Sequence, residues 1–329
     1  MSTKSLWMIP GLVVVLAGFS SAQQPTASNV SEILGQHDRA LIRELGAYLK
    51  QNPKADDRDQ GFAALFNKAI EHDWFADNEE AALRYLKNDP DGPVKALAQI
   101  IATMARAQAG RHDEALARYK ELMNGLGKSD QEDFATSFTE TFATSAVTAG
   151  EFAIARQVYQ ALQERFPDSP GLRDKVAREL GRLDRVGKPA PGFEAQDLAG
   201  KAVRFESFKG KYVLFDFWAT WCAPCIGELP RLQDAYRKYH GAGFEIISVS
   251  LDETRTAVTD FVKVRKLPWP QLHNGTAGAD LVDAFGVSSI PAAYLVDPDG
   301  KIIRLDLRGT ALETTLAQLM PTKPKTTMK

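Results

Sequence analysis

At 329 residues, with 44% apolar and 25% charged side chains, the chain exceeds one typical domain and has ample material for buried cores. A formal net charge of −2 offers no basis for binding nucleic acid or an anionic membrane surface. Two cysteines in the whole chain exclude a disulfide framework, so the fold must stand on packing and the pair is free for chemistry.

Residues 1–22 read as a secretory signal. Lys4 supplies a positive start, Leu6 to Phe19 an apolar stretch, and Ser20-Ser21-Ala22 small residues before a cleavage site. The apolar run is short for a membrane span, which needs about 20 residues, and Pro10-Gly11 interrupts it. With no Cys following, a lipoprotein anchor is excluded; the rival is an uncleaved anchor. Residues 23–29 form a linker.

Residues 30–186 are rich in Ala, Leu and Glu and predict helices of 12 to 18 residues. Gln36-His37-Asp38-Arg39-Ala40-Leu41 is echoed by Arg111-His112-Asp113-Glu114-Ala115-Leu116, and Gly150-Glu151-Phe152 opens another copy. Asn78 to Leu83 gives a degenerate one. His37 and His112 share a repeat position, which implies a common helix-start role, and with His72 they form no metal set; Trp74 and Phe75 read as packing residues. The closing Arg165-Phe166-Pro167-Asp168 resembles the end of a tetratricopeptide repeat, where Pro stops the second helix. The spacings, 40 between Gly110 and Gly150 and 75 between Gly35 and Gly110, depart from that family's period of about 34. The expectation is a tetratricopeptide-like α-solenoid with a groove, serving either as a docking platform for a partner protein or as a spacer.

Gly187-Lys188-Pro189-Ala190-Pro191 ends the array, since paired prolines favour extended chain. From 187 to 320 the pattern changes to strands alternating with helices. Asp197 to Lys201 turns a hairpin into a strand at Ala202–Phe205, and Tyr212–Trp218 is an apolar run fit for a buried central strand. Phe244–Leu251 is the next strand. Helices are predicted over Thr256–Lys266, Ala279–Phe285 and Thr310–Leu319. Strands Ala292–Val296 and Lys301–Leu305 flank the turn Asp297-Pro298-Asp299-Gly300. The tail, 321–329, reads as disordered.

The central strand runs into Trp221-Cys222-Ala223-Pro224-Cys225, with a helix expected from Cys222 to about His240. Two cysteines at i and i+3 on a first helical turn can close a small disulfide, and the free N–H groups of that turn stabilise a Cys222 thiolate. A structural zinc needs about four ligands, and no second Cys pair exists. The pattern therefore points to redox chemistry without metal or cofactor: Cys222, the more exposed, as nucleophile, and Cys225 resolving the mixed disulfide. Pro224 belongs in the first turn, where its missing N–H is harmless, and Trp221 shields one side of the sulfurs.

Trp-Cys-Ala-Pro-Cys followed by Glu228-Leu229-Pro230, together with the opening phrase Gly187 to Phe193, resembles the TlpA/ResA-type thiol-disulfide oxidoreductases of the thioredoxin superfamily. The resemblance spans about two fifths of the chain and implies a two-domain protein: an all-α helical repeat followed by an α/β thioredoxin fold with a central mixed sheet. It also implies that Asp216 or Glu228 is the acid that deprotonates Cys225; an Asp within an apolar strand is costly unless it has a role, and its pKa should be raised. Ile290 and Pro291 match the superfamily's cis-proline loop, which docks a substrate peptide as an added strand, with Trp221 and Pro224 beside it. Ala292 stands where relatives often carry Thr. The family further implies protein thiol or disulfide substrates, a membrane electron donor and an envelope location, with cytochrome c maturation among the possible roles. A peroxiredoxin-like peroxidase shares the opening phrase but would carry Thr-x-x-Cys. A non-catalytic solenoid with a thioredoxin-like binding module would not need Cys222, Cys225, Asp216 and Pro291 together.

Overall fold

The computed structural model describes residues 30–126, 131–274 and 280–320. The expected signal sequence, the linker 23–29 and the tail 321–329 lie outside the described residues. Eight helices occupy the first part: α1 (Val30–Gln51), α2 (Arg58–Glu71), α3 (Phe75–Asn88), α4 (Lys95–Gln108), α5 (His112–Gly125), α6 (Glu132–Ala149), α7 (Phe152–Arg165) and α8 (Pro170–Leu183). Tight turns join α2 to α3, α4 to α5 and α6 to α7. Each turn holds one left-handed residue: Asp73 (φ 57°), Gly110 (φ 73°) and Gly150 (φ 85°). At each turn the next N–H closes back on a carbonyl five residues earlier, Trp74 to Ala69 at 2.8 Å, Arg111 to Arg106 at 2.9 Å and Glu151 to Ala146 at 2.8 Å. α2 packs on α4 and α4 on α6, while α5 packs on α7 and α7 on α8.

This geometry corrects two of the copies assigned to the repeat. Gly35 and His37 lie inside the 22-residue α1, whereas His112 is the first residue of α5, so the two histidines share no helix-start role. No breaker stronger than the isolated glycines Gly35 and Gly46 interrupts 30–51, and a helix tolerates those. The Asn78 copy likewise sits within α3, whose preceding turn uses Asp73 in place of Gly. α7 does stop at Arg165, ahead of Pro167, with the Phe166 N–H returning to Leu162.

The second part opens with the hairpin β1 (Glu194–Gln196) and β2 (Ala202–Arg204). A five-stranded sheet follows, built from β3 (Tyr212–Trp218), β4 (Phe244–Ser250), β5 (Gln271–His273), β6 (Ala292–Val296) and β7 (Ile302–Leu305) in the order β5-β4-β3-β6-β7. β3, β4 and β5 are parallel, β6 runs antiparallel to β3, and β7 runs antiparallel to β6. Helices α9 (Ala223–Tyr239), α10 (Arg255–Arg265), α11 (Leu281–Phe285) and α12 (Gly309–Leu319) complete a thioredoxin fold. The strand β5 was not expected; the residue expected to begin α11, Ala279, lies outside the described residues.

Because side chains alternate along β3, Val213, Phe215 and Phe217 face one side, and Leu214, Asp216 and Trp218 the other. The first side joins a cluster with Phe193, Phe285 and Tyr294 that continues into the helical layers. The second packs with Leu229 and Leu232 of α9 and Leu312 and Leu316 of α12. The stretch between the two parts is pinned to the sheet edge: Gly187 N–H donates to Ile302 O (2.8 Å), Ile302 N–H to Lys188 O (2.9 Å) and Ala190 N–H to Gly300 O (2.8 Å).

Candidate active site

The central strand ends at Trp218, and five residues later α9 begins. Cys222 is its N-cap, with extended backbone, and the Cys222 sulfur accepts the Cys225 N–H at 3.3 Å. Pro224 stands in the first turn, as its chemistry requires. Cys222 and Cys225 form a disulfide with Cα atoms 5.3 Å apart. One expectation changes here: the cysteines are buried alike, 5% and 4% exposed, because the bonded sulfurs sit together in the cluster of Trp218, Ala219 and Leu229. A second concerns Trp221, which is 66% exposed and lies outside that cluster. The sulfurs are covered by the core on their inner side, and the Trp221 side chain stands in solvent.

The peptide bond Ile290–Pro291 is cis. β6 starts at Ala292, opposite Phe217 of β3, so the proline loop lies at the same strand end as the cysteines. Half-buried Ile290 packs against the cluster that holds both sulfurs. The Pro291 carbonyl accepts from Arg308.

Asp216 is buried beneath α9. Loss of solvation raises its carboxyl to about 6, the nearby Glu228 charge acts in the same direction, and the Ser248 hydroxyl bond and Arg308 oppose both. Ser248 Oγ donates to Asp216 Oδ2 at 2.9 Å and accepts from Trp269 Nε1 at 2.8 Å. Glu228, on α9, accepts the Gly309 N–H at 2.8 Å at the start of α12 and pairs with Arg231 at 3.2 Å. Ahead of the cysteines, the buried Asp252 carboxylate accepts from the Thr220 N–H (3.1 Å), the Thr220 hydroxyl (2.5 Å) and the Ser250 hydroxyl (2.7 Å). That anchors the turn between β3 and α9.

A model of the AhpC/TSA family matches residues 186–305. Thiol-disulfide oxidoreductase ResA of Bacillus thuringiensis subsp. konkukian is 38% identical over 135 residues, which cover 41% of this chain and 76% of that protein. The chain belongs to the ResA-type thiol-disulfide oxidoreductases. ResA of Bacillus subtilis is 33% identical over 134 residues, covering 41% and 73% of the two chains. Among solved structures, the thioredoxin domain of a thiol-disulfide oxidoreductase from Bacteroides vulgatus is 33% identical and covers 41% of this chain and 97% of that one, with a TM-score of 0.38.

In this ResA-type enzyme the structure brings together Cys222, Cys225, Ile290, Pro291, Asp216 and Glu228. It adds four residues that the sequence reading missed: Ser248, Asp252, Trp269 and Arg308. Ser248 was findable, since a buried hydroxyl within the largely apolar run Ile246 to Val249 needs a partner. Trp269 and Arg308 carry no such signal, because their contacts are set by the tertiary fold. Among the described residues, Asp38, Glu71 and His72 place ligand atoms within 4.8 Å of one another. Lys68 already donates to both carboxylates, at 3.1 Å and 2.9 Å, and supplies their counter-charge.

Proposed function

We propose that this protein is an exported reductase of protein disulfides in the cell envelope, with a catalytic domain at 187–320 and a helical domain at 30–186 that docks a partner. The disulfide capping α9, set over a buried protonatable Asp216, carries this reading. In the reduced enzyme Cys222 attacks a client disulfide, forming a mixed disulfide and releasing one client thiol. Cys225 loses its proton to Asp216 and attacks the Cys222 sulfur. The second client thiol departs, and the Cys222–Cys225 disulfide is left. Two electrons pass to the client, and a membrane dithiol donor must return them. The N–H groups of the first turn of α9 stabilise the Cys222 thiolate at the start of this cycle. The client peptide lies along the Ile290–Pro291 loop, with Trp221 and Pro224 at its side. Glu228 holds the start of α12 against α9 and places a second carboxylate near Asp216.

The residue pattern 1–22 supports export, and the ResA relationship supports a role among envelope thiols, apocytochrome c included. The reduction potential of the Cys222–Cys225 pair, measured against glutathione, tests the direction. A value of about −250 mV or lower supports the reductase, whereas one of about −120 mV makes the protein a disulfide-forming oxidant. Cys225→Ser should accumulate the mixed disulfide with a client, visible by mass spectrometry.

A further inference from the structure

The loop that carries Pro291 is tied to the helical part by a chain of charges. Arg308 Nη2 donates to the Pro291 carbonyl and lies 3.4 Å from Asp306 Oδ1. That same oxygen accepts the Ala293 N–H at 3.2 Å, and the Asp306 N–H returns to the Ala293 carbonyl at 2.7 Å. The other oxygen, Oδ2, accepts from Arg182 Nη1 at 2.6 Å. Arg182 belongs to the last turn of α8, and Glu179 engages its Nε and Nη2, each at 3.1 Å. The side chains of Arg182 and Asp306 are only 15% and 11% exposed, so the pair acts where charge interactions are poorly screened. Asp306 itself has φ 51°, a left-handed conformation that Asp tolerates better than most non-glycine residues.

We propose that Arg182 is a positioning residue for substrate docking. By holding one oxygen of Asp306 it leaves the other to Ala293 and Arg308, and so fixes where the Pro291 carbonyl lies. The proposal rests on the reading of the Ile290–Pro291 loop as the edge that receives a client peptide. Its physical basis is competition for Arg308. Without Arg182, Asp306 is left with one paired cation among the described residues, Arg308; closing that contact draws Arg308 from the Pro291 carbonyl. The guanidinium fork suits this task, because it serves Glu179 and Asp306 at once through different nitrogens. A lysine has one nitrogen to share between them. The helical part, outside the segment that matches the family model, thereby acts on the geometry of the docking edge.

The test uses the full chain with Cys222 and Cys225 reduced, in single turnovers against oxidised insulin and against 2-hydroxyethyl disulfide. In Arg182→Met, which keeps the apolar stem, the ratio of the insulin rate constant to the small-disulfide rate constant should fall about tenfold, the effect of one lost charge-assisted contact. The half-saturating insulin concentration should rise with it. Arg182→Lys should recover part of both. Equal slowing on both substrates, or no change in the ratio, overturns the proposal and leaves Arg182 as a packing residue. If Arg182→Met does not fold, as judged by thermal melting, Arg182→Lys decides alone: a reduced ratio supports the proposal and an unchanged one overturns it. Wild-type protein that reduces neither disulfide would instead overturn the reductase reading.

Discussion

Asp216 holds its proton to about pH 6 because burial removes the water that would solvate its charge. An ordinary carboxyl in the unfolded chain ionises near 4, so as pH rises from about 4 to 6 the unfolded state releases its proton first and folding stability falls. Asp216→Asn removes this cost while still accepting from Ser248. The variant should be more stable at pH 7 to 8 by up to about 3 kcal/mol, with the gain vanishing below about pH 4. Urea unfolding at several pH values measures it, and resolution of the mixed disulfide by Cys225 should slow in the same variant. The environment of Asp216 has a second control. The Trp269 indole can only donate, so Ser248 accepts from it and is left with its one hydroxyl proton for Asp216. Trp269→Phe frees Ser248 to turn away, and the Asp216 carboxyl should then titrate above 6, as read by NMR. The carboxylate itself was legible as a charge inside an apolar strand. Its partners were not, because Trp269 is 53 positions away and meets it only through β4.

Strand limits were legible where the run was long and cleanly bounded. β3 and β6 match the sequence pattern end to end, both apolar runs with Asp216 of β3 the one charged interruption. β5 was invisible for the opposite reason: Gln271-Leu272-His273 is three residues, two of them polar, and it becomes a strand only by pairing with β4. In the helical part, single glycines misled when taken as markers. Gly35 lies within a helix, whereas Gly110 and Gly150 make turns. At Gly150 the left-handed backbone and the Arg304 guanidinium, 3.3 Å from where a Cβ would stand, leave little room for a side chain. Gly150→Ala should lower stability by about 1 kcal/mol, seen as a reduced urea midpoint with unchanged slope. Gly35→Ala, in open space within α1, should instead raise helix stability by up to about 1 kcal/mol.

The two-part organisation was legible from composition, since the Ala- and Leu-rich segment gives way to β-rich sequence across Gly187. How the parts are joined was not. Arg182 and Asp306 are 124 positions apart, and the Arg185 guanidinium reaches the Ala284 carbonyl at 2.7 Å across 99. One apolar cluster runs through the helical layers into a face of the sheet. Helix content and tryptophan fluorescence should therefore be lost in one transition on heating; two separated transitions would show that the parts unfold independently. The pinned stretch from Gly187 to Ala190 has a further consequence. A flexible tether would let a captured client wander, so that its reactive concentration near the cysteines would depend on tether length. Here three backbone bonds remove that freedom. On the proposed docking role of the helices, a client seated there would meet the dithiol at one fixed distance, and those whose disulfide falls short of that reach would be refused by geometry rather than by affinity.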